Sequence, residues 1–458
     1  MASGLEFGAA SPAVQERILT VLVDSLGTAV AGRRVGACQK VIRAKYRSSR
    51  GHGVCSVVGE RKCLDPESGA FVNGAITHAL NYDALGRFGG HLGAIAFPAV
   101  LAAAEYRGGA SGADLLDGVY TAVWVTESLA ASGFGRHEGA MPSDRWLFGQ
   151  VLSCFGAAAG AARMLGLKDK KLRSALGLAL MQSGGSAQVM LGGDHEAKAI
   201  YAGFPNRDGL AAALLAAEDV GADIHALEGP AGLFRLFFNR DCTNAELLNP
   251  DQLDVHMKPW PASANAHAFI EAAGKLSASV HDMKETVERI VVTADEQLAS
   301  WIEPLAERRY PSNLAAAGNS IPYSVAYTLA HGDFTLTALE PDQLTDPTIN
   351  RLAAKIECEY ERGLGRGGAV MVEAGGSSWK EFVGTPLGAP ARPMTWEGVI
   401  HKVGQCLEWG RAATQPQELG KIVKQLPSSP TISSLSKCLR QMAGLTAHAS
   451  EASGMEGI

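Results

Sequence analysis

The chain has 458 residues, 47% hydrophobic and 19% charged, the composition of a folded globular protein. That length exceeds what a single hydrophobic core sustains, so two domains are expected. The 41 basic and 47 acidic residues leave a formal charge of −6, which argues against a nucleic-acid partner, since such proteins carry a basic surplus.

Ser11-Pro12 reads as the N-cap and first position of a helix over 12–32. Ser56–Val58 has the residue types of a short strand. Ala70–Leu80, Ile95–Tyr106 and Gly112–Ala131 read as helices rich in Ala and Gly, as do Gly149–Leu167, Leu172–Ser183 and Arg207–Glu218. Small residues let helix axes approach closely, so a compact bundle with almost no sheet is expected up to about residue 245. Near 250 the texture changes: "LNPDQLDVHMKPWPASANAH" is punctuated by proline. Glu288–Ala294 reads as a strand, and Ser320–Leu329 and Thr348–Tyr360 read as helices. Gly367–Gly384 reads as two strands joined by a Gly-Gly-Ser turn. Trp396–Trp409 and Ile432–Met442 are helical again. The expected class is mainly α: a large helical domain (1–254), an inserted smaller α+β domain (255–395), and helices over 396–458 that return to the first.

The eight cysteines are scattered without zinc spacing, and they read as reduced thiols in a reducing compartment. The first residues lack a basic stretch followed by an apolar core, so no secretory signal is expected. The apolar stretches are all broken by Gly, Ser or charge, so no membrane span is expected and a cytoplasmic location is. No Walker-type loop, no strand–GxGxxG–helix unit and no G-x-S-x-G elbow occurs. His195-Glu196 lacks the second histidine of H-E-x-x-H, and His78 and His91 stand far apart in sequence. No metal is expected.

Several segments stand out against this background. In "GRFGGH" (86–91), Arg87 and His91 lie in a glycine-flanked kink between two core-like segments. Glycines 86, 89 and 90 permit backbone shapes closed to other residues and would aim both side chains into a cavity; the plain alternative is a solvated loop. "GGDHEAKAIYAGFPNRDG" places His195, Lys198 and Arg207 between helices, and "PSDRWLFG" supplies Arg145. In "MKPWPASANAHAF", Lys258 lies in a rigid apolar setting and His267 on the first turn of a helix. Such a setting can make a lysine a useful base; the alternative is a stem packed on Trp260. Tyr323 begins another helix, where buried tyrosines mostly serve packing. An acidic chain with this many cationic loop residues points to a local pocket for a carboxylate-rich anion.

Seven segments in order carry a resemblance: "VLVDSLGTAVAG", "FVNGAITHALNYD", "HLGAIAFPAVLAAAE", "FGAAAGAARMLGL", "GFPNRDGLAAALLA", "KPWP" and "SIPYSVAYTLAHGDFT". Their order and spacing resemble the MmgE/PrpD family over nearly the whole chain. That family includes 2-methylcitrate dehydratase, cis-aconitate decarboxylase and iminodisuccinate epimerase. The resemblance implies a helical domain and a smaller α+β lid with the active site between them, a homodimer, no cofactor, and a small polycarboxylate as substrate. It implies catalytic roles for His91, Lys258, Tyr323 and Lys198, and substrate-binding roles for Arg87, Arg145, His267, Ser263 and Asn81.

Departures from the family's lyases shape the expected chemistry. Their Asp-x-Asp-Asp becomes Asn81-Tyr82-Asp83-Ala84, and the following Thr becomes Leu85. His91 is kept, but His-Pro-Ser/Gly becomes His91-Leu92-Gly93. Gly-Trp-His-x-Thr becomes Arg145-Trp146-Leu147-Phe148-Gly149, and after "KPWP" stand Ala262-Ser263. These losses remove groups that could protonate a departing hydroxyl. What remains can stabilise an enediolate and move a proton. The leading expectation is therefore an epimerase of an amino- or imino-polycarboxylate such as iminodisuccinate. A dehydratase or decarboxylase of a 2-methylcitrate- or cis-aconitate-like acid is the alternative, and a non-catalytic anion binder is the third. For an epimerase, His91 and Lys258 would serve opposite faces of the intermediate.

Overall fold

The computed structural model describes residues 4–50, 52–88, 90–134, 145–191, 196–241, 247–251 and 253–442. The chain divides into two compact units. The first holds Met1–Ala79, Asp83–Val255 and Trp396–Ile458; the second holds Leu80–Tyr82 and His256–Thr395. No helix among the described residues is long and apolar enough to cross a membrane, and every described cysteine is a free thiol.

The first unit is helical. Pro12–Gly32, Gly112–Phe134, Phe148–Met164 and Gly203–Ala217 are its long buried helices. Their small residues allow backbones to touch. A Cβ on Gly156 would lie 2.0 Å from Thr126 Oγ1, and one on Gly209 would lie 2.7 Å from the Cys154 carbonyl. Gly156→Val is therefore expected to destabilise the protein by about 3 kcal/mol, because overpacking strain exceeds the helix-propensity gain over glycine. A urea-unfolding midpoint checks this; an unchanged midpoint would mean that the two helices separate without cost.

Trp396–Trp409 packs with the first helix, as its apolar periodicity leads one to expect. Gly27 lies against Val403, and Gly410 against Val30. Between these helices Lys402 Nζ stands 2.6 Å from Asp24 Oδ1, with both side chains almost fully buried.

Two readings of this unit need correction. Ser56–Val58 is not a strand; only a single bridge, Cys55 with Leu64, forms beside it. The segment is instead clamped by side chains: Asn73 bonds Ser56 O and Val58 N, and Glu105 accepts from Ser56. The helix expected over 95–106 is two helices, Leu92–Ala96 and Pro98–Arg107. Pro98 has no N–H and its ring opposes the carbonyl four residues back, that of Ala94. Buried Asn206 takes over: its Nδ2 donates to Ala94 O at 2.9 Å and its Oδ1 accepts from Ala99 N at 3.3 Å.

The second unit carries a four-stranded sheet in the order Ile356–Tyr360, Val287–Ala294, Gly368–Ala374, Ser377–Val383. The first pair is parallel, with Ile290 opposite Ile356; the other pairs are antiparallel. Gly375 and Gly376, both with positive φ, make the hairpin turn. The helix His267–Val280 packs on this sheet, its Phe269 ring filling the space over Gly368. Here the helix expected over 348–360 is half right. It stops at Ala354, and Ile356–Tyr360 is a strand. "IECEY" alternates apolar and charged residues, a period-2 pattern that suits a strand.

Candidate active site

The helix Pro66–His78 begins on Asp65, whose carboxylate caps Ser68 N at 2.9 Å. It ends before Asn81, which takes the left-handed conformation (φ 50°) that asparagine tolerates. The chain turns back there. Asp83, fully buried, then faces His78 on the helix's last turn.

Three side chains meet at that point. His91 Nδ1 lies 3.0 and 3.2 Å from the two Asp83 oxygens, and His78 Nδ1 lies 3.3 Å from Oδ1. The imidazole centroids are 4.2 Å apart, edge to face. Ala94 N, at the start of a helix, donates to Asp83 Oδ2 at 3.2 Å. Gly93 permits this approach, since a Cβ there would come within 2.9 Å of Asp83 Cβ. Burial alone would raise the Asp83 carboxyl. The charge of His91 and the hydrogen bonds from His78 and His91 outweigh it and hold the group well below the usual carboxylate range. Tyr201 closes the cluster, its ring 4.4 Å from His78. Burial, and then the Asp83 charge, push its phenol up. Leu147 packs against the buried cluster of Ala94, Tyr201 and Ala202.

The arrangement has a clear chemical consequence. An ionised carboxylate beside Nδ1 requires an N–H there, which fixes the His91 tautomer and leaves Nε2 to take or give a proton. His78 and His91, far apart in sequence, come into contact because the chain turns back at Asn81 between them. His78, Asp83 and His91 also offer three potential ligand atoms within 4.8 Å of one another, residue types that could hold a divalent cation.

Arg87 is exposed and its guanidinium lies 5.7 Å from the Phe88 ring. Its backbone N–H donates to Glu127 Oε2 at 2.8 Å. The expectation that Gly86 and Gly90 serve unusual backbone angles is corrected: neither has positive φ. A Cβ on Gly86 would lie 1.9 Å from Glu127 Oε1, so this glycine makes room for a buried carboxyl. Gly89 and His195 lie outside the described residues.

Arg145 is exposed, beside the Trp146–Ser186 bridge. Lys198 is half-buried on the short helix Glu196–Ile200. Arg207 pairs with Asp208 at 2.7 Å.

In the second unit, Lys258 is 1% exposed. Its Nζ donates to Asn81 O at 2.5 Å and to Asn81 Oδ1 at 2.6 Å. Tyr82 Oη donates to Pro259 O at 2.8 Å, and Met257 N to Gly388 O at 3.0 Å. The proline-rich segments at 257–261 and 386–393 thus meet. Trp260 Nε1 donates to Asp333 at 2.7 Å. The ring of buried His267 makes edge contacts with those of Trp260 and His256, at centroid distances of 5.4 and 5.6 Å. Ser263 caps the short turn Ala264–Ala266. Tyr323 is fully buried and its hydroxyl donates to Ala338 O at 2.7 Å; burial pushes that phenol up.

Sequence reasoning singled out His91, Lys258 and Asn81 but gave no role to Asp83, His78, Tyr201 or Glu127. The signal for Asp83 was present: it is the one carboxylate kept where the family's lyases carry three.

Comparison with known proteins agrees with the seven-segment resemblance. The MmgE/PrpD N-terminal domain matches residues 1–245, and the MmgE/PrpD C-terminal domain matches residues 260–426. Human cis-aconitate decarboxylase is 26% identical over 373 residues, covering 78% of this chain and 74% of its own length. The cis-aconitate decarboxylase of Aspergillus terreus is 27% identical over 425 residues, covering 85% and 84%. The cis-aconitate decarboxylase-like protein oryM of Aspergillus oryzae is 23% identical and covers 94% and 93%. With both domains matched in order, the chain belongs to the MmgE/PrpD family.

Proposed function

We propose that the protein is a lyase that decarboxylates a small unsaturated polycarboxylic acid resembling cis-aconitate. The observation that carries this reading is His91 held by buried Asp83; relatives named cis-aconitate decarboxylase support it. Breaking a C–C bond releases CO2 and leaves its electron pair in a conjugated system, and one proton must then reach carbon. His91 Nε2 delivers that proton, while Asp83 keeps the ring in one orientation and stabilises its charged form. No hydroxyl departs, so the polar groups lost relative to the family's dehydratases are not needed. Arg87, Arg145 and Lys198 are proposed to meet substrate carboxylates, since guanidinium and ammonium groups match them. Lys258, with its ammonium on Asn81, is proposed as a second proton-transfer or anion-binding group, and a homodimer is proposed as the working form.

A second reading is epimerisation of an imino-polycarboxylate such as iminodisuccinate. Leu147 favours it: an apolar side chain packs on the cluster of Ala94, Tyr201 and Ala202 where the family's lyases place a histidine.

The test is incubation in D2O with cis-aconitate, 2-methylcitrate and iminodisuccinate in turn. Loss of CO2 from cis-aconitate, with one deuterium gained on carbon, is the expected result. Deuterium at a stereocentre of iminodisuccinate without loss of mass would replace the first reading with the second. Binding without any turnover would leave only an anion-binding role.

A further inference from the structure

The helix Gly112–Phe134 carries a buried carboxyl that the proposed chemistry does not use. Glu127 is 1% exposed. Its Oε2 accepts the Arg87 N–H, and its Oε1 has no hydrogen-bond partner among the described residues. The two ends of the turn approach this oxygen: a Cβ would lie 1.9 Å from it at Gly86 and 3.7 Å at Gly90. Gly86 N donates to Gly90 O at 2.8 Å and closes the turn. The next residue is His91.

We infer that Glu127 is a positioning residue, the internal post around which the turn carrying Arg87 and leading into His91 is built, and that one proton on its carboxyl sets how firmly the turn is held. The importance of His91 rests on the function proposed above; the turn and its post do not. As a carboxylate, Glu127 can only accept, and Oε1 is then a buried charge without a donor, which is costly. As a neutral acid, the same oxygen carries a hydrogen and can donate to a turn carbonyl. Burial pushes the Glu127 carboxyl up to about 7; the Arg87 N–H and the Arg87 charge oppose this and the charge of Asp254 adds to it. The exchange between the two forms therefore falls near neutral pH.

Hydrogen–deuterium exchange of a peptide covering residues 84–92 tests this in the full, substrate-free chain. Rates are corrected for intrinsic exchange, and a peptide from Pro98–Arg107 serves as the reference. The wild type should lose protection by about fivefold or more as pH rises from 6 to 8.5, the equivalent of one unmet buried polar group. Glu127→Gln keeps an oxygen for the Arg87 N–H and cannot ionise, so its turn should show no pH step. A wild-type turn that follows the reference peptide at every pH overturns the inference whether or not the variant folds. So does a Gln variant that keeps the step. In the decarboxylation assay the Gln variant should lose the pH dependence of kcat near 7 while KM stays within about twofold. If no polycarboxylate is turned over but the exchange step is present and Gln abolishes it, the catalytic reading fails and the positioning role stands.

Discussion

Replacing Lys402 by methionine should destabilise the protein by about 3–5 kcal/mol, because Asp24 is left as a buried charge without its ammonium partner. The pair lies between the first helix and Trp396–Trp409, where both side chains are almost fully withdrawn from water. Removing both charges is a different matter. The double variant Asp24→Leu with Lys402→Met should recover most of the loss, since a buried ion pair replaced by apolar groups of similar volume is often neutral or stabilising. Urea denaturation of the two single variants and the double variant measures this. A single variant that loses less than about 1 kcal/mol would mean that water reaches Asp24 when the lysine is gone.

Asp83→Asn should lower kcat by roughly 100- to 10,000-fold, the range associated with a positioned general acid or base. The amide keeps the shape of the carboxylate but cannot stabilise a charged His91 or hold both imidazoles as donors. KM should change much less, because the cations proposed to meet the substrate carboxylates remain. Asp83 also predicts a pH effect on folding. Its folded-state carboxyl lies well below the usual range, so the stability it confers is fully present above the ordinary carboxylate value. That stability is lost as pH falls from there through the depressed one. The Asn variant should lack this acid-side loss. Equal kcat in variant and wild type would mean that His91 needs no holder.

The long helices and the strand hairpin were legible because their signals are local: a Ser11-Pro12 start, glycines spaced for close packing, a Gly-Gly turn between two strand-like runs. Some errors came where a distant residue decides. Nothing in "IAFPAVLAAAEY" says that Asn206 will satisfy the carbonyl that Pro98 disturbs. The helix over 348–360 was over-extended for a different reason: the alternation of "IECEY", a local strand signal, was passed over, and Ile356–Tyr360 pairs with Val287–Ala294. The candidate site was partly readable because only part of its signal is local. His91 and Lys258 lie in unusual local contexts, whereas His78 looks like an ordinary core histidine until the turn at Asn81 folds Asp83 back on it. Gly86 was noticed, but its reason lay on another helix, in Glu127.

The helix Trp396–Trp409 closes against a partner made near the beginning of the chain, Pro12–Gly32. On the ribosome, where chains emerge N-terminus first, the groove around Gly27 and Val30 therefore stays uncovered while the entire second unit is translated. The helical unit cannot complete its core vectorially; it must wait, with apolar surface and the Asp24 carboxylate unsealed, for a segment that appears only after residue 395. Such a nascent chain is a natural client for a holding chaperone, and a stall in translation anywhere between the two helices would leave an aggregation-prone intermediate.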